Sequence, residues 1–371
     1  MRGVAEVFVA EPTAETVARM RALIRARRPF VPLHPRLTAA ERDALRPDLA
    51  AIPDGTLAVL YTSGTSGRPK GAILSRAAFI ASARASAARL GWRDDDRWLC
   101  SLPLAHVGGL SVLVRCLLAR RPFVLGRGDR VAEDLLAHRA TIVSLVPAQL
   151  ARLLDGAWTP PRWLRLVLLG GAAAPPRLLA RAAAAGVPVV TTYGLTEACS
   201  QVATQVPGRP GAGCGPPLPG IAVRIADGDR IEIDGPTLFS GYLGEPPRAP
   251  GWFATGDFGR FDAAGNLHVL GRRTDLIVTG GENVYAAEVE AYLDARGVPA
   301  CVFGVPDETW GEIVAAATTA PLPTAALADL APFKRPRRIA RVEALPLTPG
   351  GKPDRAAARA LAERAGLVPL G

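Results

Sequence analysis

Short apolar runs alternate with helical stretches along residues 57–192, and this alternation constrains the fold more than any other feature. The runs are typical of buried strands and cover Leu57–Thr62, Arg97–Leu102, Pro122–Leu125, Ile142–Val146, Leu164–Leu169 and Val187–Thr192. The helical stretches between them are Arg76–Leu90, Val107–Leu118, Val131–His138, Ala148–Leu154 and Pro176–Ala185. Because strands that alternate with helices favour a largely parallel sheet covered on both faces, we predict an α/β fold.

The pattern changes on both sides of this region. Residues 1–55 contain a helical stretch near Ala14–Arg27 and a proline-rich segment after it. From Pro207 to Phe261 the chain is rich in glycine and proline, with short alternating runs that predict a small β subdomain. We therefore predict a large N-terminal domain over residues 1–271, a hinge at 272–275, and a small mobile α+β C-terminal domain over 276–371.

Arginine replaces lysine almost throughout the chain. Lysine and arginine together number 44, yet only Lys70, Lys334 and Lys352 are lysines. A site that needs a compact ammonium does not accept the planar guanidinium, so each lysine is a candidate for a chemical role. For Lys334, chance survival is an equally good interpretation. The net charge of +10 is spread along the chain rather than gathered in a tail, which argues against nucleic-acid binding.

Other sequence features exclude several classes of protein. We find no uncharged apolar run long enough for a transmembrane helix, so no membrane insertion is expected. The N-terminus carries acidic residues where a signal peptide would be apolar, which indicates a cytoplasmic protein. The five cysteines are scattered and lack CxxC spacing, so neither a zinc site nor a disulfide framework is indicated.

The strongest local motif is Tyr61–Gly71, with the sequence YTSGTSGRPKG. Its glycines let backbone N–H groups approach phosphate oxygens, and its hydroxyl groups add hydrogen-bond donors. Lys70 can neutralise phosphate charge, although the segment does not match a Walker A loop. The alternative is a flexible linker. The rare lysine and the position between a predicted strand and a predicted helix favour a phosphate-binding loop.

This segment resembles the phosphate loop of the adenylate-forming superfamily, which includes acyl-CoA synthetases, luciferases and adenylation domains of peptide synthetases. Segments similar to the other superfamily motifs follow in the same order: Gly170–Ala173, Tyr193–Glu197 (YGLTE), Thr255–Asp257 (TGD), Gly271–Arg272, Gly280–Tyr285 and Leu347–Asp354. The resemblance implies an acid–thiol ligase. Such an enzyme joins a carboxylate to ATP as an acyl-adenylate, releases pyrophosphate, and then transfers the acyl group to coenzyme A.

The resemblance also implies roles for individual residues. Lys352 and Lys70 would stabilise the charge at the α-phosphate, Thr196 would contact that phosphate, and Glu197 would bind Mg²⁺. A carboxylate beside phosphates is unfavourable unless a cation lies between them. The other implied nucleotide contacts are Thr62, Ser63, Gly64, Thr65, Ser66, Gly67, Gly171, Ala172, Tyr193, Gly194, Asp257 and Arg272. Thr274 would be the hinge pivot, and the loop for the coenzyme A step would contain Gly280, Gly281, Glu282 and Asn283.

Within the superfamily, DRWLCSLPLAHVGGLS at 96–111 and GLTEACSQVAT at 194–204 are most similar to the o-succinylbenzoate–CoA ligases of menaquinone biosynthesis. That acid carries an aromatic ring and two carboxylates. The implied substrate residues are His106, Gly108, Gly109, Gly170, Ser200 and Gln201. His106 would gate the acyl pocket, Gly108 and Gly109 would leave room for the ring, and Ser200 and Gln201 would bind the distal carboxylate. The alternatives are a structural histidine and a solvated helix start.

Four hypotheses remain open from the sequence. The enzyme could activate a different aryl or acyl acid, or deliver it to a carrier-protein thiol. The phosphate loop begins only about sixty residues into the chain, closer than in most relatives. The resemblance therefore predicts that much of the usual N-terminal subdomain is missing, which raises two further hypotheses: a homodimer that covers the sheet edge, or a degenerate nucleotide-binding protein. Retention of Lys70, Glu197, Asp257, Arg272 and Lys352 argues against degeneracy.

Overall fold

The structure is a computed structural model that describes residues 5–45, 48, 51–62, 69–209, 211–280, 282–348 and 353–370. Within these ranges the chain forms four β-sheets. Of the helices described, none is long and apolar enough to cross a membrane.

The first sheet contains the strands on both sides of the predicted phosphate loop. Its order is β1 (Glu6–Val9), β2 (Phe30–Leu33), β3 (Thr56–Thr62), β4 (Lys70–Ser75) and β13 (Gly241–Tyr242). The first three strands are parallel, and β4 and β13 are antiparallel to their neighbours. Helix α1 (Ala14–Arg25) connects β1 to β2, and α2 (Ala39–Ala44) follows β2. The predicted placement of the phosphate loop between a strand and a helix is therefore wrong, because β4 follows the loop and pairs with β3.

The second sheet is the alternating region of the sequence. Its order is β10 (Ser200–Thr204), β9 (Val189–Leu195), β8 (Leu166–Leu169), β7 (Ile142–Leu145), β5 (Trp98–Cys100) and β6 (Phe123–Leu125). All neighbours are parallel except β10, which runs antiparallel to β9. The helices of this region are α3 (Arg76–Leu90), α4 (Val107–Ala119), α5 (Val131–Ala137), α6 (Pro147–Asp155) and α7 (Pro176–Ala184). These elements confirm the predicted α/β fold.

The main core lies between the two sheets. Phe30 and Leu60 of the first sheet, Phe79 of α3, Leu113 of α4 and Trp98 of the second sheet belong to one buried apolar cluster. Helices α3 and α4 therefore form a layer between the sheets. On the other face of the second sheet, α5, α6 and α7 enclose a separate cluster. This layering brings the β3–β4 hairpin and the ends of β8 and β9 to the same region of the molecule.

A buried ion pair fixes the start of the second sheet. Asp96 is fully buried, and the Arg165 guanidinium donates to both of its carboxylate oxygens, at 2.6 and 2.7 Å. Thr141 also donates to Asp96, at 2.8 Å. Removing one partner of such a pair leaves a buried charge uncompensated and costs about 3–5 kcal/mol. The pair therefore ties together the chain segments that lead into β5, β7 and β8.

The glycine- and proline-rich region forms a third, antiparallel sheet, as the sequence predicts. Its strands are β11 (Ala222–Ala226), β12 (Arg230–Asp234), β14 (Phe253–Phe261) and β15 (Leu267–Arg272). Ile231, Ile233 and Leu267 are buried between this sheet and β9 and β10. This packing places the ends of β14 and β15 beside the end of β9.

The fourth sheet lies in the C-terminal part of the chain and has its own core. It contains β16 (Leu276–Thr279), β17 (Glu282–Tyr285), β18 (Ala300–Asp307), β19 (Gly311–Thr318), β20 (Arg338–Arg341) and β21 (Val368–Pro369). Two helices, α8 (Ala286–Ala295) and α9 (Arg355–Ala365), pack on it. Val284, Val289 and Leu293 are completely buried in this core. The α+β character predicted for this region is confirmed, whereas the proposed boundary at 272–275 stays a prediction.

Candidate active site

A tyrosine, a carboxylate and an arginine meet where β9, β14 and β15 come together. The Tyr193 hydroxyl donates to one carboxylate oxygen of Asp257 at 2.7 Å, and the Arg272 Nε donates to the other at 2.7 Å. Asp257 and Arg272 face each other across β14 and β15. Burial and the neighbouring Asp257 carboxylate raise the pKa of Tyr193, so its hydroxyl remains a donor. Three residues predicted from separate motifs therefore form one hydrogen-bonded group.

Glu197 lies in a short 3₁₀ turn, Thr196–Ala198, that directly follows β9. One of its carboxylate oxygens accepts a hydrogen bond of 2.8 Å from the Tyr242 hydroxyl of β13. Burial and the Glu197 carboxylate raise the pKa of Tyr242, which keeps the hydroxyl protonated. Sequence reasoning missed Tyr242, because a tyrosine in a glycine- and proline-rich segment carries no local signal of its position.

Lys70 lies at the base of the predicted phosphate loop. Thr62 and Lys70 pair directly across β3 and β4. The Lys70 ammonium donates to Glu245 at 2.8 Å and lies 4.9 Å from the centre of the Tyr242 ring. The loop residues Ser63, Gly64, Thr65, Ser66 and Gly67 lie outside the described residues. The structure therefore places the lysine of this motif and leaves the contacts of the loop as predictions.

The turn that carries Thr196 and Glu197 is tight and strained. It leads from β9 into β10 through Cys199 and Ser200, whose φ angles are +52° and +99°. Non-glycine residues rarely adopt such angles, and strained backbone of this kind concentrates at functional sites. A Cβ atom at Gly194 would lie 1.9 Å from the Ser200 carbonyl oxygen, so only glycine fits there. The glycine of the YGLTE motif is therefore required by the approach of β10.

His106 precedes α4 and is exposed, as expected for a residue at the mouth of a site. Its ring lies 5.0 Å from the ring of His34, which follows β2. Sequence reasoning missed His34, because nothing local connects these two histidines. In α4, a Cβ at Gly108 would lie 3.0 Å from the Leu102 side chain, and one at Gly109 would lie 2.3 Å from the Pro103 carbonyl oxygen. Backbone packing therefore requires Gly109, while the room that the two glycines would leave for a ring stays a prediction.

The expectation for Gln201 needs correction. Ser200 and Gln201 begin strand β10, so the alternative of a solvated helix start is wrong. The Gln201 side chain is buried, accepts from Ser86 at 2.7 Å and donates to Thr204 at 2.8 Å. These internal partners give it a structural role between α3 and β10, and they do not support contact with a substrate carboxylate. Ser200 is only partly buried, and its predicted contact stays a prediction.

Helix α4 contains a buried arginine that sequence reasoning passed over. Arg115 is 3% exposed, and no acceptor among the described residues reaches its Nε or Nη2. Its guanidinium lies 5.6 Å from the centre of the Trp98 ring, and burial lowers its pKa to about 10. Ser111, one helical turn before Arg115, donates to the Cys199 carbonyl at 3.4 Å, so this part of α4 lies against the turn that carries Glu197. The sequence signal that could have identified this residue is that Arg115 is the single charged residue in the apolar stretch Val107–Leu118.

The remaining predicted residues fall in three places. Gly170, Gly171 and Ala172 follow β8, next to the end of β9. Thr274 lies in a 3₁₀ turn, Arg273–Asp275, between the third and fourth sheets, and its role as a hinge pivot stays a prediction. The thiol-step segment is a hairpin rather than a free loop, with Gly280 at the turn and Glu282 and Asn283 exposed in β17. Gly281 and Lys352 lie outside the described residues.

The residues around Glu197 suit a magnesium ion shared with a nucleotide. The described part of the chain contains no group of three or more histidine, cysteine or acidic side chains that could hold a metal by itself. Mg²⁺ in nucleotide-dependent enzymes is held by one or two carboxylates together with substrate phosphates. Glu197, oriented by the Tyr242 hydroxyl, supplies one such carboxylate close to the strand that starts at Lys70. The site therefore fits a metal that arrives with its phosphate ligands.

Two family models match the chain, one after the other along the sequence. Residues 41–243 match the AMP-binding enzyme family, and residues 298–352 match the AMP-binding enzyme C-terminal domain. The chain belongs to the AMP-binding enzyme family. Its curated relatives include the 2-succinylbenzoate–CoA ligase of Bacillus pumilus, which is 38% identical over 329 residues, 81% of this chain and 68% of that protein. The resemblance to adenylate-forming enzymes is thereby confirmed.

Solved structures of the same kind of enzyme also match this chain, and they differ in how well they superpose on it. The o-succinylbenzoate coenzyme A synthetase of Bacillus subtilis with ATP and magnesium ion is 30% identical, with a TM-score of 0.82 over 96% of this chain and 89% of that one. A double mutant of the same synthetase, bound to a product analogue, has a TM-score of 0.67 over 100% and 90%. This chain therefore superposes better on the ATP complex than on the product-analogue complex.

Proposed function

We propose that the chain is an ATP-dependent 2-succinylbenzoate–CoA ligase that works through an acyl-adenylate. The observation that carries the proposal is the convergence of Lys70, Glu197, Tyr193, Asp257 and Arg272 from three sheets onto one site. The curated relatives are named as ligases of 2-succinylbenzoate and coenzyme A. The solved synthetase complexes contain the acyl-adenylate intermediate in one case and ATP with magnesium ion in another. AMP and pyrophosphate are the expected by-products.

In the first half-reaction, an oxygen of the substrate carboxylate attacks the α-phosphorus of ATP, and the bond to the pyrophosphate oxygen breaks. Asp257, as an acceptor held by Tyr193 and Arg272, is placed to bind the ribose hydroxyls. Negative charge builds on the oxygens around the phosphorus, and the ammonium groups of Lys70 and Lys352 oppose it. A magnesium ion held through Glu197 supplies further neutralisation of the phosphates.

The buried Arg115 supports the choice of a dicarboxylic acid. One carboxylate of 2-succinylbenzoate reacts, so the other must lie at a distance from the α-phosphate. Arg115 lies on the part of α4 that contacts the Glu197 turn through Ser111, and it presents two nitrogens without a partner among the described residues. A buried guanidinium is expensive unless it meets an anion, and a carboxylate matches its planar pair of donors. We therefore assign Arg115, together with Ser200, to the second carboxylate.

In the second half-reaction, the coenzyme A sulfur attacks the carbonyl carbon of the adenylate, AMP leaves, and the thiol proton passes to solvent. The chain offers an aromatic and cationic surface for this step beside the β16–β17 hairpin. Trp310 is 41% exposed, its carbonyl accepts from the Gly280 amide at 2.9 Å, and Arg337 lies 4.1 Å over its ring. An aromatic ring and a cation suit the adenine and phosphates of coenzyme A.

A coupled assay with 2-succinylbenzoate, MgATP and coenzyme A tests the proposal, with Lys352→Ala as the variant. We expect the wild-type chain to form AMP and thioester. We expect the variant to lose adenylation by at least about 100-fold while it still converts supplied acyl-adenylate to thioester, because the lysine serves only the first half-reaction.

Lys334→Ala is the matched control, since Lys334 pairs with Glu288 at 2.7 Å inside the C-terminal domain. It should leave both half-reactions within about threefold of wild type, as expected for a partly exposed ion pair. Pyrophosphate exchange with benzoates or fatty acids, but none with 2-succinylbenzoate, would contradict the choice of acid. Equal loss of both half-reactions in Lys352→Ala would contradict the use of one site in two arrangements.

A further inference from the structure

We propose that Tyr242 is a positioning residue that orients Glu197 for magnesium and holds it in register with Lys70. This inference rests on the proposed function only for the identity of the phosphate ligand, ATP. Tyr242 lies outside every motif that was identified in the sequence.

Tyr242 touches both charged groups of the phosphate site. Its hydroxyl donates to Glu197 at 2.8 Å, and its ring face lies 4.9 Å from the Lys70 ammonium. Hydrogen bonds to a metal-ligating carboxylate fix its orientation and are commonly as important as the ligand itself. The ring attracts the lysine through a cation–π contact. One side chain therefore contacts the candidate metal ligand and the candidate phosphate cation together.

The backbone around Tyr242 joins the same two elements. Strand β13 pairs with β4, so that Tyr242 faces Ala72, and the Leu243 amide donates to the Gly71 carbonyl at 2.8 Å. At the other end, the Phe239 amide donates to the Glu197 carbonyl at 2.8 Å. The segment 239–243 therefore connects the strand that begins at Lys70 to the turn that carries Glu197.

Packing holds the tyrosine ring in this position. The rings of Phe239 and Tyr242 meet edge to face at 4.8 Å, and Phe239 packs in the same way on Phe253 at 5.1 Å. Phe239 is 3% exposed and belongs to the main core. Because aromatic pairs of this geometry have defined positions, the hydroxyl is presented to Glu197 by a rigid support. Loss of the hydroxyl alone should leave that support intact.

The test is equilibrium binding of ATP at graded Mg²⁺ concentrations, in the absence of acid and coenzyme A, so that no turnover occurs. We expect Tyr242→Phe to raise the Mg²⁺ concentration for half-maximal binding roughly tenfold, as for other lost partners of a metal-ligating carboxylate. Tyr242→Leu, which also removes the ring beneath Lys70, should in addition weaken ATP binding at saturating Mg²⁺. Tyr292→Phe is the matched control, because its hydroxyl donates to the Ala326 carbonyl at 2.9 Å in the C-terminal domain.

A double-mutant cycle separates positioning from general stability. If Tyr242 acts through Glu197, then Tyr242→Phe in a Glu197→Gln background should cause no further change in Mg²⁺ dependence. Unchanged Mg²⁺ dependence in Tyr242→Phe, an equal shift in Tyr292→Phe, or full additivity in the cycle would overturn the proposal. A chain that binds MgATP with these responses but does not activate 2-succinylbenzoate would overturn the proposed function and support the role of Tyr242.

Discussion

At the scale of single residues, Arg115 is expected to lower the stability of the ligand-free chain and to bind the substrate. Two nitrogens of its buried guanidinium have no partner among the residues that the structure describes, and such a group destabilises the ligand-free chain because it has given up water without gaining an acceptor. Such an arrangement persists where a ligand completes it. The same residue should therefore affect stability and substrate binding in opposite directions.

Arg115→Met tests this expectation. Replacing a buried charge by an apolar side chain of similar length is often stabilising by about 1–4 kcal/mol, so we expect the ligand-free variant to melt at a higher temperature. We also expect the KM for 2-succinylbenzoate to rise at least about 30-fold, as for the loss of one partner of a buried charge pair, with the KM for ATP unchanged. Calorimetry and pyrophosphate exchange measure the two effects. A lower melting temperature together with an equal rise in both KM values would contradict the assignment.

Most charged site residues were identified from the sequence, but Tyr242, the partner of Glu197, was not. Glu197, Asp257 and Arg272 lie in motifs whose order in the chain is informative by itself. Tyr242 and His34 are distant from those motifs and reach the site only through the pairing of β13 with β4 and of β2 with β3. Gln201 was misassigned because its polarity was visible and its burial against Ser86 was not. Local sequence shows which residue types are present but not which side chains tertiary packing brings together.

At the scale of elements, the predictions followed local signals. The predicted helix Arg76–Leu90 has the bounds of α3, because Ser75 caps its first turn and Gly91 follows its last residue. Strand β4 was missed because its polar first residue and its glycine hid a short apolar run. Strands β1 and β2 have four residues each, too few to show a period.

The start of α9 offers a prediction at this scale. Arg355, three residues after Lys352 in the sequence, pairs with Asp275 of the hinge turn at 3.1 Å and with Glu290 of α8 at 2.7 Å. Burial raises the pKa of Glu290 to about 7, and the Arg355 guanidinium opposes that rise. Arg355 therefore joins the Arg273–Asp275 turn and α8 to the start of α9.

We expect Arg355→Ala to slow adenylation about tenfold or more, because truncation of a buried pair costs several kcal/mol locally. Thioester formation from supplied adenylate should fall by less. Arg359→Ala, which removes an exposed pair with Glu363 on the same helix, should change neither half-reaction. Parallel decline of both half-reactions in Arg355→Ala would indicate a merely structural role.

At the scale of the whole molecule, one of the contacts between the predicted C-terminal domain and the rest of the chain joins α8 to α7. The Asp294 carboxylate of α8 accepts from the Arg177 amide in the first turn of α7, at 3.0 Å. A carboxylate at a helix N-terminus interacts favourably with the helix dipole. The contact therefore favours the packing of α8 against α7 that this structure shows.

Asp294→Ala should weaken this arrangement by about 0.5–1 kcal/mol, a two- to fivefold change in the ratio of the two arrangements. Small-angle scattering in the presence of MgATP should detect the shift, and adenylation should slow relative to the thiol step. Asp155→Ala is the control, because Asp155 pairs with Arg181 of the same α7 within the N-terminal domain. Identical scattering of Asp294→Ala and wild type would contradict a role for this contact.

The fourth sheet encloses its own apolar core, formed by residues such as Val284, Val289 and Leu293. Substitutions within that core therefore need no compensating change around the nucleotide site, and the two parts of the chain can diverge at different rates. For an engineer, the predicted C-terminal domain over 276–371 is therefore a candidate for transplantation, which must match its new host at the side chains that contact the rest of the chain, such as Asp294.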